Sequence, residues 1–128
     1  MILGDNERVR SALAALATVV ALAGCGAPQE VSEQADEVHS RAAEGALLAQ
    51  QVASGDTFEA CASEHASALR LKLDELRPAI EDDRLAVVAA AVDRTLAALE
   101  RHPGDRGRAA VEERALRGLA ARAEALAG

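Results

Sequence analysis

Apolar side chains recur every three or four positions from residue 32 to residue 126, and this spacing restricts the chain to α-helices more strongly than any other feature. No stretch shows the strict alternation of apolar and polar residues that is typical of a half-buried β-strand. The sequence contains a single Phe, no Trp and no Tyr, whereas alanine is abundant, so helices can approach closely around a thin core. These features predict an all-α fold.

Three breaks divide this region into four helical segments. Ser54-Gly55 ends the first segment, and Asp56, three residues before Glu59, has the spacing of a capping box for the second. Pro78 suits the start of the third segment, because its missing N–H would be unpaired there in any case. The run His102-Pro103-Gly104-Asp105 separates the third segment from the fourth. Short links of this kind join antiparallel neighbours, so we predict an up-down antiparallel four-helix bundle, a single domain over residues 32–128.

Each predicted segment carries one apolar stripe that we expect to face the core. The segments are Ser32 to about Ala53, Asp56 to about Arg77, Pro78 to the break at His102, and about Arg108 to Leu126. In the same order, the stripes are Ala35, Val38, Ala42, Ala46, Ala49 and Val52; Phe58, Ala62, His65, Leu69, Leu73 and Leu76; Leu85, Val88, Val92, Leu96 and Leu99; and Val111, Ala115, Leu119 and Leu126.

The segment before the bundle has the organisation of a secretory signal. Arg8 and Arg10 provide a basic edge, and an apolar run of about 12 residues follows from Ala12 to Ala23. A membrane-spanning helix needs about 20 apolar residues, so this run is too short to remain as a membrane span. It ends in Leu22-Ala23-Gly24-Cys25.

These four residues resemble the lipobox of bacterial lipoproteins. The resemblance implies that the Cys25 sulfur receives a diacylglyceryl group and that the signal peptide, residues 1–24, is cleaved before Cys25. Two acyl chains of the palmitate type give stable anchoring that one chain does not. Residues 25–31 would then be the lipidated cysteine and a short tether that holds the domain at the extracytoplasmic face of the cell membrane. Asp5 and Glu7 are unusual at the start of a signal, and an alternative start at Val9 would give a shorter, purely basic edge.

The charge of the protein excludes two classes of partner. The net charge is −7, and it is unchanged by removal of residues 1–24, which carry two acidic and two basic side chains. An acidic surface is repelled by nucleic acids and by anionic lipid headgroups. We therefore expect no nucleic-acid binding and no membrane contact apart from the lipid on Cys25.

Cys61 and His65 are the residues that most resemble a ligand pair. They are four positions apart and so lie on one helix face, where a thiolate and an imidazole can bind Zn or Cu, with His39 or Glu44 as further ligands. Two ligands do not make a site, and we prefer the interpretation of Cys61 as a small buried hydrophobe and of His65 as a partly buried helix residue. No cofactor or metal is therefore expected. With Cys25 lipidated, an exposed Cys61 thiol could instead link two copies of the chain.

The sequence contains no pattern of residues for catalysis. Cys61 and His65, read as nucleophile and base, lack an orienting third group and oxyanion donors. Asp36 and His39 have the spacing of a di-iron motif, but the second such motif is missing. We therefore predict a non-catalytic envelope protein that binds a protein partner, with the fourth segment and its scattered leucines and arginines as a binding face. The alternative is a small-ligand or metal-binding envelope protein that uses Cys61 and His65.

Overall fold

A computed structural model describes residues 30–128, and all of the regular structure in this range is helical. The predicted signal peptide, the lipobox and the tether as far as residue 29 lie outside the described residues. The helices are α1 (Val31–Ser54), α2 (Glu59–Leu76), α3 (Asp83–Arg101) and α4 (Arg106–Ala127), and a 3-10 turn (Arg77–Ala79) follows α2. The prediction of an all-α bundle is confirmed.

Hydrogen bonds between helix ends establish the antiparallel order. Gln34 Nε2, near the start of α1, donates to the carbonyl of Ala79 just after α2, at 3.0 Å. Arg106 Nε, at the start of α4, donates to the carbonyl of Ala53 at the end of α1, also at 3.0 Å. The first helix is therefore antiparallel to both the second and the fourth, and its contact with the fourth is the most extensive in the bundle.

A second pair of helices is joined by side-chain charges. Arg70 on α2 bridges two acidic residues of α3, with its guanidinium nitrogens 2.6 Å from Glu100 Oε2 and 3.3 Å from Asp93 Oδ1. The hydrogen bond to Glu100 is the main cause that raises the pKa of Arg70 above its ordinary value. The bundle thus consists of the pairs α1–α4 and α2–α3.

Local residues explain where most of the helices begin and end. Gly55 ends α1 in the left-handed conformation with φ 72°, and its amide donates to the carbonyl of Val52 at 3.1 Å. Asp82 and Asp105 cap α3 and α4, because each carboxylate accepts a 3.0 Å hydrogen bond from the backbone amide three residues later. The predicted break at His102–Asp105 is therefore confirmed.

Three of the predicted helix starts are wrong. The first two helices begin after Glu30 and Phe58, and no side-chain hydrogen bond caps either start, so neither Ser32 nor Asp56 is a cap. Pro78 forms the 3-10 turn and does not open the third helix. The chain is extended again at Ile80, and the third helix begins only where Asp82 supplies a capping carboxylate.

The predicted stripes of α1 and α3 are fully buried, but the other two need correction. Phe58 precedes the helix in extended backbone and is 82% exposed, and His65 is exposed while Ala66 takes its place in the core. On α4 the predicted stripe is only partly buried: Val111 is 57% exposed and Ala115 is also exposed, whereas Leu119 and Leu126 are half-buried and pack against the core. The buried residues of α4 are Ala109, Glu112, Leu116, Ala120 and Ala123.

Small side chains explain why α4 presents this other face to the core. Its alanines allow it to lie close to α1, which offers Gly45 opposite. A Cβ atom on Gly45 would lie 2.7 Å from Leu96 Cδ2 of α3 and 3.2 Å from Leu116 Cδ1 of α4, so the glycine leaves room for these two leucine side chains. Close packing along the helix pair therefore outweighs the burial of larger side chains such as Val111.

Candidate protein-binding groove

The residues considered for metal binding do not form one group. Cys61 and His65 are exposed on α2, whereas His39 on α1 places Nδ1 2.8 Å from the carbonyl oxygen of Ala120 on α4. Glu44 forms an ion pair with Arg41 at 3.2 Å. Within residues 30–128 there is no group of three or more His, Cys, Asp or Glu side chains that could hold a metal ion. Cys61 is a free, exposed thiol, so its interpretation as a small buried hydrophobic residue is wrong.

A groove lies between α3 and α4. Its volume is about 730 Å³, and along α4 it extends from Arg108 to Arg122, about 21 Å at 1.5 Å per residue. We call it the α3–α4 groove. The residues that line it are Ala91, Arg94, Thr95 and Ala98 from α3, and Arg108, Val111, Glu112, Arg114, Ala115, Gly118, Leu119 and Arg122 from α4.

The groove results from the way α4 packs on α1. Because the alanine face of α4 is turned toward α1, the stripe that contains Val111, Ala115 and Leu119 faces the gap next to α3. Apart from Arg94, the third helix contributes only small side chains to this gap, and its Thr95 hydroxyl is already used in a 2.8 Å hydrogen bond to the carbonyl of Ala91. The stripe that the sequence predicted as core is therefore left partly open to solvent.

Arginines surround this apolar floor. Arg94, Arg108, Arg114 and Arg122 line the groove, and Glu112 is the one acidic residue among the described lining residues. A neighbouring depression shares Arg122 and extends the surface toward the end of α4; it is lined by Arg84, Val87, Val88, Ala125 and Leu126. A protein with a net charge of −7 thus concentrates positive charge along one groove.

Glu112 lies at the base of the groove and lacks hydrogen bonds. Its side chain is 9% exposed, and Arg108 Nε is 3.4 Å from Oε1, within ion-pair range. Neither carboxylate oxygen accepts a hydrogen bond from any group in residues 30–128. Burial is the main cause that raises the pKa of this carboxyl above its ordinary value, although Arg108 acts in the opposite direction. The free protein therefore has a poorly satisfied acid at this point.

We expect Glu112→Leu to stabilise the protein by about 1 kcal/mol at pH 7, since it removes a desolvated carboxylate. A raised native pKa means that the native state holds this proton to a higher pH than the unfolded chain does. The stability of the wild type therefore falls as the pH rises from the unfolded-state pKa of about 4.3 through the native-state pKa of Glu112. The stability advantage of Glu112→Leu grows over that pH range. Urea unfolding at pH values from 4 to 7 measures it. A stability difference between Glu112→Leu and the wild type that stays constant with pH would contradict this account, and Glu64→Leu on the exposed surface of α2 is the surface control.

Gly118 is a second residue of the groove that the fold itself does not require. It lies within α4, where glycine costs about 1 kcal/mol relative to alanine. A Cβ atom at this position would meet nothing from another part of the described chain within 4 Å. Packing within the described chain requires a glycine at position 45 but gives no reason for one at position 118.

Comparison with known proteins supplies no assignment for this groove. No protein-family profile, no curated protein and no solved structure matches the chain. Among the helices of residues 30–128, none is both long and apolar enough to cross a bilayer.

One signal in the sequence pointed to the groove. The predicted apolar stripe of the fourth segment is interspersed with Arg108, Arg114 and Arg122, an arrangement that a helix buried on that face would not tolerate. The contribution of α3 and the burial of Glu112 had no such signal, because both depend on how far α4 is rotated toward α1.

Proposed function

We propose that this protein is a lipid-anchored, non-catalytic component of the cell envelope whose helical bundle binds a protein partner in the α3–α4 groove. The observation that carries the proposal is the apolar floor of this groove with arginines along its margins, in a domain that is otherwise acidic. Apolar surface bordered by charge is typical of a site that another protein covers.

The dimensions of the groove favour a helical segment as the bound element. A length of about 21 Å corresponds to about 14 residues of α-helix. Partner helices bind in such grooves through residues spaced three and four apart along one face. The open side of the groove gives such a helix access without any change in the bundle.

The proposed anchor is compatible with access to the groove. If Cys25 carries the lipid, the tether to Val31 reaches about 20 Å when fully extended. The start of α1 and the start of α3 lie at this end of the bundle and are rich in acidic residues: Glu30, Glu33, Glu81, Asp82 and Asp83. Anionic headgroups repel such an end, so the domain would stand away from the membrane with the side of the bundle free.

The alternative of a metal or small-ligand protein receives no comparable support. It depends on Cys61, His65 and His39, and His39 is engaged with α4 while the other two are exposed on α2. We therefore do not propose it.

Site-specific photo-crosslinking in living cells tests the proposed function. A photoreactive amino acid replaces Val111 in the groove or, as a matched control, Leu71, which is exposed on α2 to a similar extent at 62% against 57%. We expect one envelope protein to be captured reproducibly from position 111 and not from position 71. Equal capture from both positions, or none from position 111, would contradict binding in the groove.

A further inference from the structure

We propose that the α3–α4 groove receives an acidic amphipathic helix, which packs its backbone against Gly118 and donates a hydrogen bond to Glu112. This inference rests on the proposed function and specifies the chemistry of the partner. Two residues that the isolated fold disfavours, and the charge around them, support it independently.

Gly118 indicates close approach of a helix backbone. No part of the described chain occupies the space where its side chain would be. Its neighbours in the groove are also small, namely Ala115 on α4 and Ala91 and Ala98 on α3. Small residues on facing helices let the backbones come close together, so a partner helix with a small-residue stripe fits this floor.

Glu112 indicates a hydrogen-bond donor on the partner. Its side chain is nine-tenths buried and lines the groove, and Arg108 Nε lies 3.4 Å from Oε1, but neither oxygen accepts a hydrogen bond from residues 30–128. Buried polar groups in native proteins nearly always form hydrogen bonds, so a buried carboxylate with an ion pair and no hydrogen bond, at the base of a groove, is a position where a ligand completes the bonding. A serine, threonine or amide side chain on the partner supplies such a donor.

The arginines indicate acidic flanks on the same helix. Arg94 projects from one side of the groove, and Arg114 and Arg122 project from the other, within reach of carboxylates on both edges of a bound helix. Exposed charges of this kind contribute mainly to partner choice and to the rate of association.

Charge and shape disfavour two other occupants. A second copy related by a two-fold axis through this groove would bring the two sets of arginines against each other. The arginines would attract the anionic headgroups of a membrane, but a membrane surface is too flat to reach the apolar base of the groove. An acidic helix is therefore the occupant that fits both the charge and the shape.

Peptide binding tests this proposal. The full chain is expressed in a bacterium that processes lipoproteins and is extracted from membranes in a neutral detergent. The probe is a fluorescent helical peptide of about 18 residues, with an alanine stripe, one serine in the stripe and glutamates on both flanks. Its twin carries lysine in place of every glutamate. By fluorescence anisotropy we expect the acidic peptide to bind about tenfold more tightly than the twin.

Matched variants locate the binding. Gly118→Leu fills the floor of the groove and is expected to weaken binding about thirtyfold. The same change raises the urea midpoint, because leucine is the better helix former, so the loss cannot be ascribed to unfolding. The double reversal Arg114→Glu/Arg122→Glu is expected to weaken binding about tenfold, whereas Lys72→Glu/Arg101→Glu, outside the groove, leaves it unchanged. Replacing the serine of the peptide by alanine weakens binding to the wild type but not to Glu112→Leu.

Three results would overturn the acidic helix as the occupant. They are equal or tighter binding of the lysine twin, arginine-dependent binding to phosphatidylglycerol vesicles in place of the peptide, and self-association that Gly118→Leu abolishes. If any of these results is found together with specific crosslinking from position 111, the proposed function is retained and only the acidic helix as the occupant is wrong. Absence of crosslinking from position 111 contradicts the proposed function itself.

Discussion

Truncation of Leu96 to alanine is expected to lower the free energy of unfolding by about 3 kcal/mol. Leu96 on α3 is fully buried, and its Cδ2 atom lies against Gly45 of α1. The core of the described residues consists mainly of alanine, valine and leucine, and the neighbouring Leu116 can fill the cavity only in part, because it is itself fully buried on α4. Urea unfolding of the wild type and the variant measures the loss, which is a large part of the stability of a domain of this size.

The partner of Leu96 provides the control. Gly45→Ala places a methyl group 2.7 Å from Leu96 Cδ2, and we expect it to lower stability by about 1 kcal/mol despite the better helix propensity of alanine. In the double variant the methyl group occupies part of the cavity left by Leu96→Ala. The double variant should therefore lose about 1 kcal/mol less stability than the sum of the two single losses. Full additivity would mean that the two positions are not in contact.

Replacement of Cys25 by serine is expected to abolish lipid attachment. Serine lacks the sulfur that the lipobox resemblance identifies as the acceptor, so incorporation of a labelled palmitate analogue in cells should fall to background. Cleavage before residue 25 should fail as well, and intact mass of the purified protein would then show that residues 1–24 are retained.

Cys61→Ser is the matched control, since Cys61 is the other cysteine of the chain and is exposed on α2. It should keep both the label and the cleavage. If the label persists in Cys25→Ser and disappears in Cys61→Ser, the lipid is attached to Cys61 and the proposed anchor at Cys25 is wrong.

Periodicity was sufficient to predict the elements of the fold but not the rotation of every helix. The stripes of α1 and α3 are correct because their apolar residues lie on one face with no competing choice. On α4 the larger side chains, Val111 and Leu119, compete with the alanine face, and sequence reasoning favours the larger ones. The outcome depended on packing against α1, which a local pattern does not include.

The candidate site was predictable only in part. The fourth segment was predicted as a binding face because of its scattered leucines and arginines, whereas its apolar stripe was expected to face the core; the structure places that stripe in a groove. The burial of Glu112, which has an ion pair with Arg108 but no hydrogen bond, was not expected, because a glutamate between Val111 and Glu113 is typical of a solvated helix face. Its burial follows from the closeness of α4 to α1, a tertiary effect. Cys61 and His65 were chosen for their chemistry alone, and the structure leaves them on an open surface.

The close pairing of the first and last helices also determines when the protein can acquire its structure. Contacts between α1 and α4 join residues 53 to 81 positions apart, as in the bonds from Arg106 to Ala53 and from His39 to Ala120. Most helical bundles fold quickly because their contacts are local in sequence, and this one has its most extensive interface between its two ends. A chain that crosses the membrane from its N-terminus would therefore expose the alanine face of α1 until translocation is complete. Acquisition of the native state would be tied to release of the final residues, and a stalled or truncated chain would remain open to proteases.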